Sequence, residues 1–62
     1  MLTVAILING NPIMARSAVN QNREVDGKTV YKVDDGSEVL HDPDDGAVEL
    51  AKMLLGTIIE EL

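Results

Sequence analysis

The sequence predicts an α+β fold, in which an antiparallel β-meander of three to four strands precedes one C-terminal helix. The first observation is a set of turn-forming dipeptides between β-prone runs: Asn9-Gly10, Asp26-Gly27 and Asp35-Gly36. Asn-Gly and Asp-Gly favour two-residue hairpin turns because these residues tolerate positive φ. The second observation is a long, mostly apolar segment of helical spacing after the last turn. We therefore expect one domain, residues 1–62, with hairpins first and a helix last.

The first predicted strand, about residues 2–9, is almost continuously apolar, as in a strand covered on both faces. It is expected to be either a central strand or one that lies in an interface. The second strand begins at Pro12, whose missing N–H suits a strand start, and covers about residues 12–20. The polar residues that follow contain no stop signal. The end of this strand is therefore open between Val19 and Val25.

The third predicted strand, about residues 28–34, alternates in the period of two that is typical of a half-buried strand. Its predicted core face carries Thr29, Tyr31 and Val33, and its opposite face carries Lys28, Val30 and Lys32. A turn at Asp35-Gly36 then leads to a short last strand, about residues 37–41. These strands complete the meander.

The helix is predicted over about residues 43–61, from its start signals and its apolar spacing. Asp42 is the expected N-cap and Pro43 the first helical residue. Asp44 and Asp45 would place negative charge in the first turn, where the helix dipole favours it. The boundary between sheet and helix is therefore expected at Asp42.

The predicted helix has more apolar surface than a sheet alone would cover, because its polar residues form only a narrow stripe. Gly56 costs about 1 kcal/mol relative to alanine in a helix interior, and such a residue is tolerated best where another backbone approaches. Fraying toward the C-terminus is the alternative explanation of Gly56. The expected interface comprises residues of the helix and of the first strand: Val48, Leu55, Gly56, Ile59, Leu62, Ala5 and Leu7.

A chain of 62 residues builds a thin core and usually needs support from a disulfide, a metal or a partner. The absence of cysteine excludes disulfides and thiolate zinc sites, so a homodimer is expected. The apolar start is too short to span a bilayer, which takes about 20 apolar residues, and it lacks signal-peptide features. We therefore expect a cytoplasmic protein with no membrane partner.

The net charge is −6, and the charged residues are distributed unevenly along the chain. Residues 1–33 carry four basic and two acidic side chains, whereas residues 34–62 carry nine acidic and one basic. The expected acidic patch consists of Asp34, Asp35, Glu38, Asp44 and Asp45, together with Asp42. A solvated surface explains these acids, and a surface for a basic protein partner is the alternative.

Nucleic-acid binding is not expected from this composition. Four cations could form a small patch on neighbouring strands: Arg16, Arg23, Lys28 and Lys32. Single-strand recognition normally adds aromatic stacking platforms, and Tyr31 is the only aromatic residue. The overall acidity also disfavours contact with phosphates.

No motif predicts catalysis or a bound cofactor. The glycines are dispersed, so no phosphate-binding loop is formed, and the two serines lie outside any nucleophile elbow. His41, the only histidine, stands beside Asp42 and could contribute to a weak divalent-metal site, although helix initiation already explains these residues. The leading hypothesis is therefore a non-enzymatic interaction or assembly module that folds as a homodimer. A regulator of a basic protein and the metal site are the alternatives.

Overall fold

The computed structural model describes residues 1–62 and contains one four-stranded antiparallel sheet and one helix. The elements are β1 (Leu2–Ile8), β2 (Asn11–Val25), β3 (Lys28–Val33), β4 (Glu38–His41) and α1 (Ala47–Glu61). The strands follow one another in the order β1-β2-β3-β4, and α1 packs on the sheet. The predicted α+β meander is confirmed, and β2 extends to Val25.

The position of β1 decides between the two alternatives for the first strand. β1 is an outermost strand of the sheet, because it pairs with β2 alone. The central-strand alternative is therefore wrong, and its apolar sequence needs another explanation. The hydrophobic run alone could not distinguish these cases, because an interface and a buried sheet both favour apolar residues on two faces.

Two of the three turns have the predicted two-residue form. Both central residues have positive φ at Asn9-Gly10 (50° and 79°) and at Asp26-Gly27 (52° and 77°). At the third turn only Gly36 does, with φ of 94°. Val33 N–H donates to Ser37 O at 2.8 Å, which closes a three-residue loop. The two-residue prediction for Asp35-Gly36 is therefore wrong.

Register places Leu2, Ala18 and Val33 side by side across β1, β2 and β3. The pairing register of β2 shifts at two places, opposite Ile6/Leu7 of β1 and between Asn20 and Glu24. Because β1 starts opposite Ala18, the β2–β3 hairpin projects beyond the beginning of β1. The sheet is consequently staggered, with its two long hairpins at opposite ends.

The helix begins later than the sequence predicts. Its N-cap is Gly46, with no side-chain capping bond, and its first residue is Ala47 rather than Pro43. The Asp42 carboxylate accepts the N–H of Asp44 at 2.9 Å, and Asp45 N–H donates to the Asp42 carbonyl at 2.9 Å. These bonds close a separate turn. The predicted capping role of Asp42 is wrong, because its side chain stabilises that turn instead.

The core is thin: eight of 62 residues are buried, and only six of these are apolar. The buried apolar residues are Ala18, Val30, Val33, Leu50, Leu54 and Ile58. Leu54 packs with Ala18 and Val33 at the centre of the layer between α1 and the sheet. A core of this size is the reason that a second source of stabilisation is expected for the chain.

The sheet face opposite α1 is open, and Val30 is its one buried apolar residue. An Arg23–Glu38 ion pair, Nη2 to Oε2 at 2.5 Å, joins β2 to β4. Because β3 lies between these strands, the pair crosses β3 on the face that carries Val30. On this face of β3, Lys28 and Lys32 are therefore exposed, whereas Val30 is buried.

Candidate interaction surface

A stripe of exposed apolar side chains runs along α1. The stripe consists of Val48, Leu55, Ile59 and Leu62, which are 68, 37, 58 and 72 % exposed. At about 100° per residue these side chains fall within a narrow sector, about 110° around the helix from the line of buried residues. The sheet therefore covers one side of α1 and leaves a second apolar side uncovered.

The stripe points toward the outer edge of β1. Thr57 lies on the other flank of the buried line, about 60° from Leu54. Its hydroxyl accepts a hydrogen bond from Arg16 Nε of β2 at 3.2 Å. Because α1 also contacts β1, the flank opposite Thr57 faces β1 and the side of the molecule beyond it. The stripe and the edge of β1 thus belong to one side of the protein.

The backbone groups on that edge follow from one hydrogen bond. Ser17 O accepts from Asp34 N–H at 3.0 Å, so Ser17 directs its backbone away from β1. Alternate residues of a strand direct their N–H and C=O groups to opposite edges. Arg16 therefore faces β1, where it pairs with Val4. By the same alternation, three residues of β1 present their backbone groups at the outer edge: Thr3, Ala5 and Leu7.

The seven predicted interface residues fall into three positions. Four of them form the helix stripe. Ala5 and Leu7 lie on the sheet face opposite α1 and on the exposed edge of β1, with Leu7 55 % exposed. Gly56 lies about 90° from the centre of the stripe, and no atom approaches the place a Cβ would occupy. Within the chain no backbone contact explains Gly56.

Beneath the helix, Arg16 forms a polar network that the sequence reasoning missed. Arg16 is 8 % exposed, and its Nη2 lies 2.5 Å from Glu61 Oε1, close enough to pair charges but not aligned as a hydrogen bond. Thr57 in turn donates its hydroxyl to Leu54 O at 2.7 Å. Thr57 and Glu61 are four residues apart and so share a helix face, which is the signal that could have identified partners for a buried arginine.

The four cations that could have formed a patch do not lie on one face of the sheet. Arg16 faces α1, on the side of the sheet opposite Lys28 and Lys32, and Arg23 is paired with Glu38. The four-cation interpretation is therefore wrong, because the alternation of β2 turns Arg16 into the core.

The acidic residues form two groups rather than the single acidic patch expected from the sequence. Asp34, Asp35 and Glu38 lie around the β3–β4 turn, whereas Asp44 and Asp45 follow the other end of β4. The strand between them is four residues long, about 13 Å. Two hydrogen bonds from Ser37 hold the pKa of the Asp35 carboxyl below its ordinary value of 3.8. The larger effect comes from the Ser37 hydroxyl and the smaller from its backbone N–H. Part of this acidity is therefore engaged within the turn.

His41 is held by a backbone hydrogen bond and an aromatic contact, and it does not belong to a cluster of potential metal ligands. Its Nε2 lies 3.1 Å from the Gly46 carbonyl, which requires Nε2 to carry the proton. The ring meets Tyr31 edge to face, with centroids 5.9 Å apart. No three His, Asp or Glu side chains are grouped as metal ligands. The metal hypothesis thus has no ligand set at this position.

An open recess of about 470 Å³ lies between the start of α1 and the sheet. Its walls are mostly apolar and include Met1, Leu2, Asn20, Tyr31, His41, Ala47 and Leu50. The two hydroxyl groups that could act as serine nucleophiles lie elsewhere and are engaged. Ser17 Oγ bonds Thr3 Oγ1 at 2.9 Å, and Ser37 Oγ donates to Asp35 at 2.6 Å. Histidine and serine are therefore not brought together.

Comparisons with protein-family models, curated proteins and solved structures found no match to this chain. The 15-residue helix α1 does not meet the combined length and hydropathy that a membrane-spanning helix needs. The apolar stripe and the β1 edge, which occupy one side of the molecule, are the surface features that bear on function.

Proposed function

We propose that the protein is a small, non-enzymatic interaction or assembly module that folds as a homodimer. The observation that carries this proposal is the exposed stripe on α1. Three of its four side chains are more than half exposed, in a chain that buries only six apolar residues. Exposed apolar patches of this kind usually mark association surfaces.

A second copy is the occupant that the size of the core favours. Small domains without disulfides or metals commonly complete their core by oligomerisation. The absence of cysteine leaves no disulfide to replace that contact, and it supports a cytoplasmic location as part of the same proposal.

Sedimentation equilibrium over a hundredfold range of protein concentration tests the proposal. We expect a dimer for the wild type and a shift toward monomer for Ile59→Glu, because the introduced charge would be desolvated in the contact. Val25→Glu is the matched control. Val25 is an exposed valine on the β2–β3 hairpin, beyond the start of β1, and the change adds the same charge. A wild-type monomer at every concentration would refute the homodimer.

A further inference from the structure

We propose that β1 pairs with β1 of a second copy, antiparallel and centred on Ala5, so that two sheets become one sheet of eight strands. This pairing rests on the proposed homodimer and specifies which atoms join its two copies. Around a two-fold axis at Ala5, Thr3 lies opposite Leu7 of the second copy, and Ala5 lies opposite Ala5. The outward N–H and C=O groups of Thr3, Ala5 and Leu7 then form six hydrogen bonds across the seam.

The edge of β1 lacks three features that commonly prevent strands from adding to a sheet, namely short length, charge and proline. It is seven residues long and contains no proline, and the chain has no charged side chain before Arg16. Native edges are usually short, charged or interrupted by proline. Two copies of β1 can therefore approach without placing like charges side by side.

The opposite edge of the sheet does not offer the same contact. β4 has four residues, begins with Glu38 and is flanked by the two acidic groups. Pairing of two β4 strands would bring these acids together in a chain that already carries a net charge of −6. The difference between the edges selects β1 as the seam.

The helix supplies a second contact over the same seam. Leu54 packs on Ala18, which pairs with Leu2. Farther along α1, Thr57 contacts Arg16, which pairs with Val4. The helix therefore runs in the same direction as β1. Ala5 is three residues beyond Leu2, about 10 Å along β1. Along α1, Ile59 and Leu62 lie about 8 and 12 Å beyond Leu54 in the same direction. Both side chains are thus level with Ala5 and face the seam.

Charge and position distinguish the two ends of the stripe. At the C-terminal end, the Glu61 carboxylate is directed at Arg16 beneath the helix and not at the second copy. At the N-terminal end, Val48 is 11 residues before Ile59, about 16 Å along the helix. Val48 therefore lies outside the seam, whereas Ile59 and Leu62 lie over it.

Amide hydrogen exchange of the wild-type protein tests the pairing directly. In a monomer the Ala5 and Leu7 amides face solvent, whereas the Val4 and Ile6 amides bond β2. The pairing predicts slow exchange at both sets of residues under dimer-forming conditions, and fast exchange at Ala5 and Leu7 upon dilution. Fast exchange at Ala5 and Leu7 in a persistent dimer would overturn the pairing and leave the homodimer intact. A wild-type monomer at every concentration would overturn both.

Two pairs of variants test the seam independently of exchange. Ile59→Glu should weaken dimerisation about 30-fold or more, as at a buried interface anchor, whereas Val48→Glu should leave the dissociation constant within about threefold.

Under air oxidation Ala5→Cys should form a covalent dimer, since opposed residues are about 5.5 Å apart between Cα atoms. Ala15→Cys, one strand inward on the same face, should not, because its copy would be about 14 Å away. Equal effects within either pair would contradict this register.

Discussion

The buried arginine provides the sharpest test of the packing between α1 and the sheet. The side chain of Arg16 is 10 % exposed and that of Glu61 is 48 % exposed. Glu61→Ala leaves the guanidinium with Thr57 as its only side-chain hydrogen-bond partner. Breaking a fully buried ion pair costs about 3–5 kcal/mol, and an exposed one contributes about 0.2–1 kcal/mol. Because Glu61 is half exposed, we expect Glu61→Ala to destabilise the fold by about 1.5 kcal/mol.

Arg16→Met removes the charge and keeps a flexible apolar side chain in the same space. Replacing a buried charge in this way is often neutral. The free energy of unfolding of the variant should therefore lie within about 1 kcal/mol of the wild-type value. In the Arg16→Met background, Glu61→Ala should then cost almost nothing, because no buried cation is left without its partner. The non-additivity of the two changes measures the ion pair.

Urea unfolding at a fixed protein concentration provides the assay, because the stability of the proposed dimer would depend on concentration. With a slope of about 1 kcal/mol per molar urea for a chain of this size, Glu61→Ala should lower the midpoint by roughly 1.5 M. The reasoning would be refuted if Glu61→Ala lowered the free energy of unfolding equally in the wild type and in the Arg16→Met background. That result would show that Glu61 contributes through packing or solvation rather than through Arg16, since alanine is the better helix former.

Three further predictions concern the core, the helix and the pH dependence. Leu54→Ala should destabilise the protein by about 2–5 kcal/mol, because Leu54 is fully buried, and thermal unfolding followed by circular dichroism should show a lost or strongly lowered transition. Gly56→Ala should raise the melting temperature, since no atom approaches the new Cβ and the helix gains about 1 kcal/mol; a lower value would indicate the close contact predicted from the sequence. Because the folded pKa of Asp35 is lowered, its contribution to stability is present above the ordinary pKa of 3.8 and is lost as the pH falls through the folded value. Asp35→Asn should therefore lose less stability than the wild type between pH 5 and pH 2, measured by urea midpoints, and an identical loss would contradict the role of the Ser37 hydrogen bonds.

Local chemistry made much of this fold predictable. Asn9-Gly10 and Asp26-Gly27 adopt their turns because the required positive φ is a property of the residues themselves. The apolar stripe of α1 was also predictable, because it follows from residue spacing alone. In both cases the determining interactions lie within a few residues of one another.

Features that depend on partners distant in the sequence were not predictable in the same way. Asp42 has the residue type of an N-cap, but its carboxylate bonds Asp44, and Gly46 is held by His41. Local preference allowed both arrangements, and packing at the end of the sheet selected one. Arg16 is a similar case, because its burial depends on Thr57 and Glu61, more than 40 residues away along the chain. The candidate surface divides likewise: the stripe was predictable, and the exposed edge of β1 required the strand order.

The short, acid-flanked edge of β4 has a consequence for stoichiometry. A sheet with two receptive edges can add copies at both ends and grow into a fibre. Here four residues and the neighbouring carboxylates leave little for an incoming strand to pair with at one end. In the proposed pairing through β1, growth would therefore stop after a single addition, and the acids of the second half of the chain would limit the assembly to a dimer.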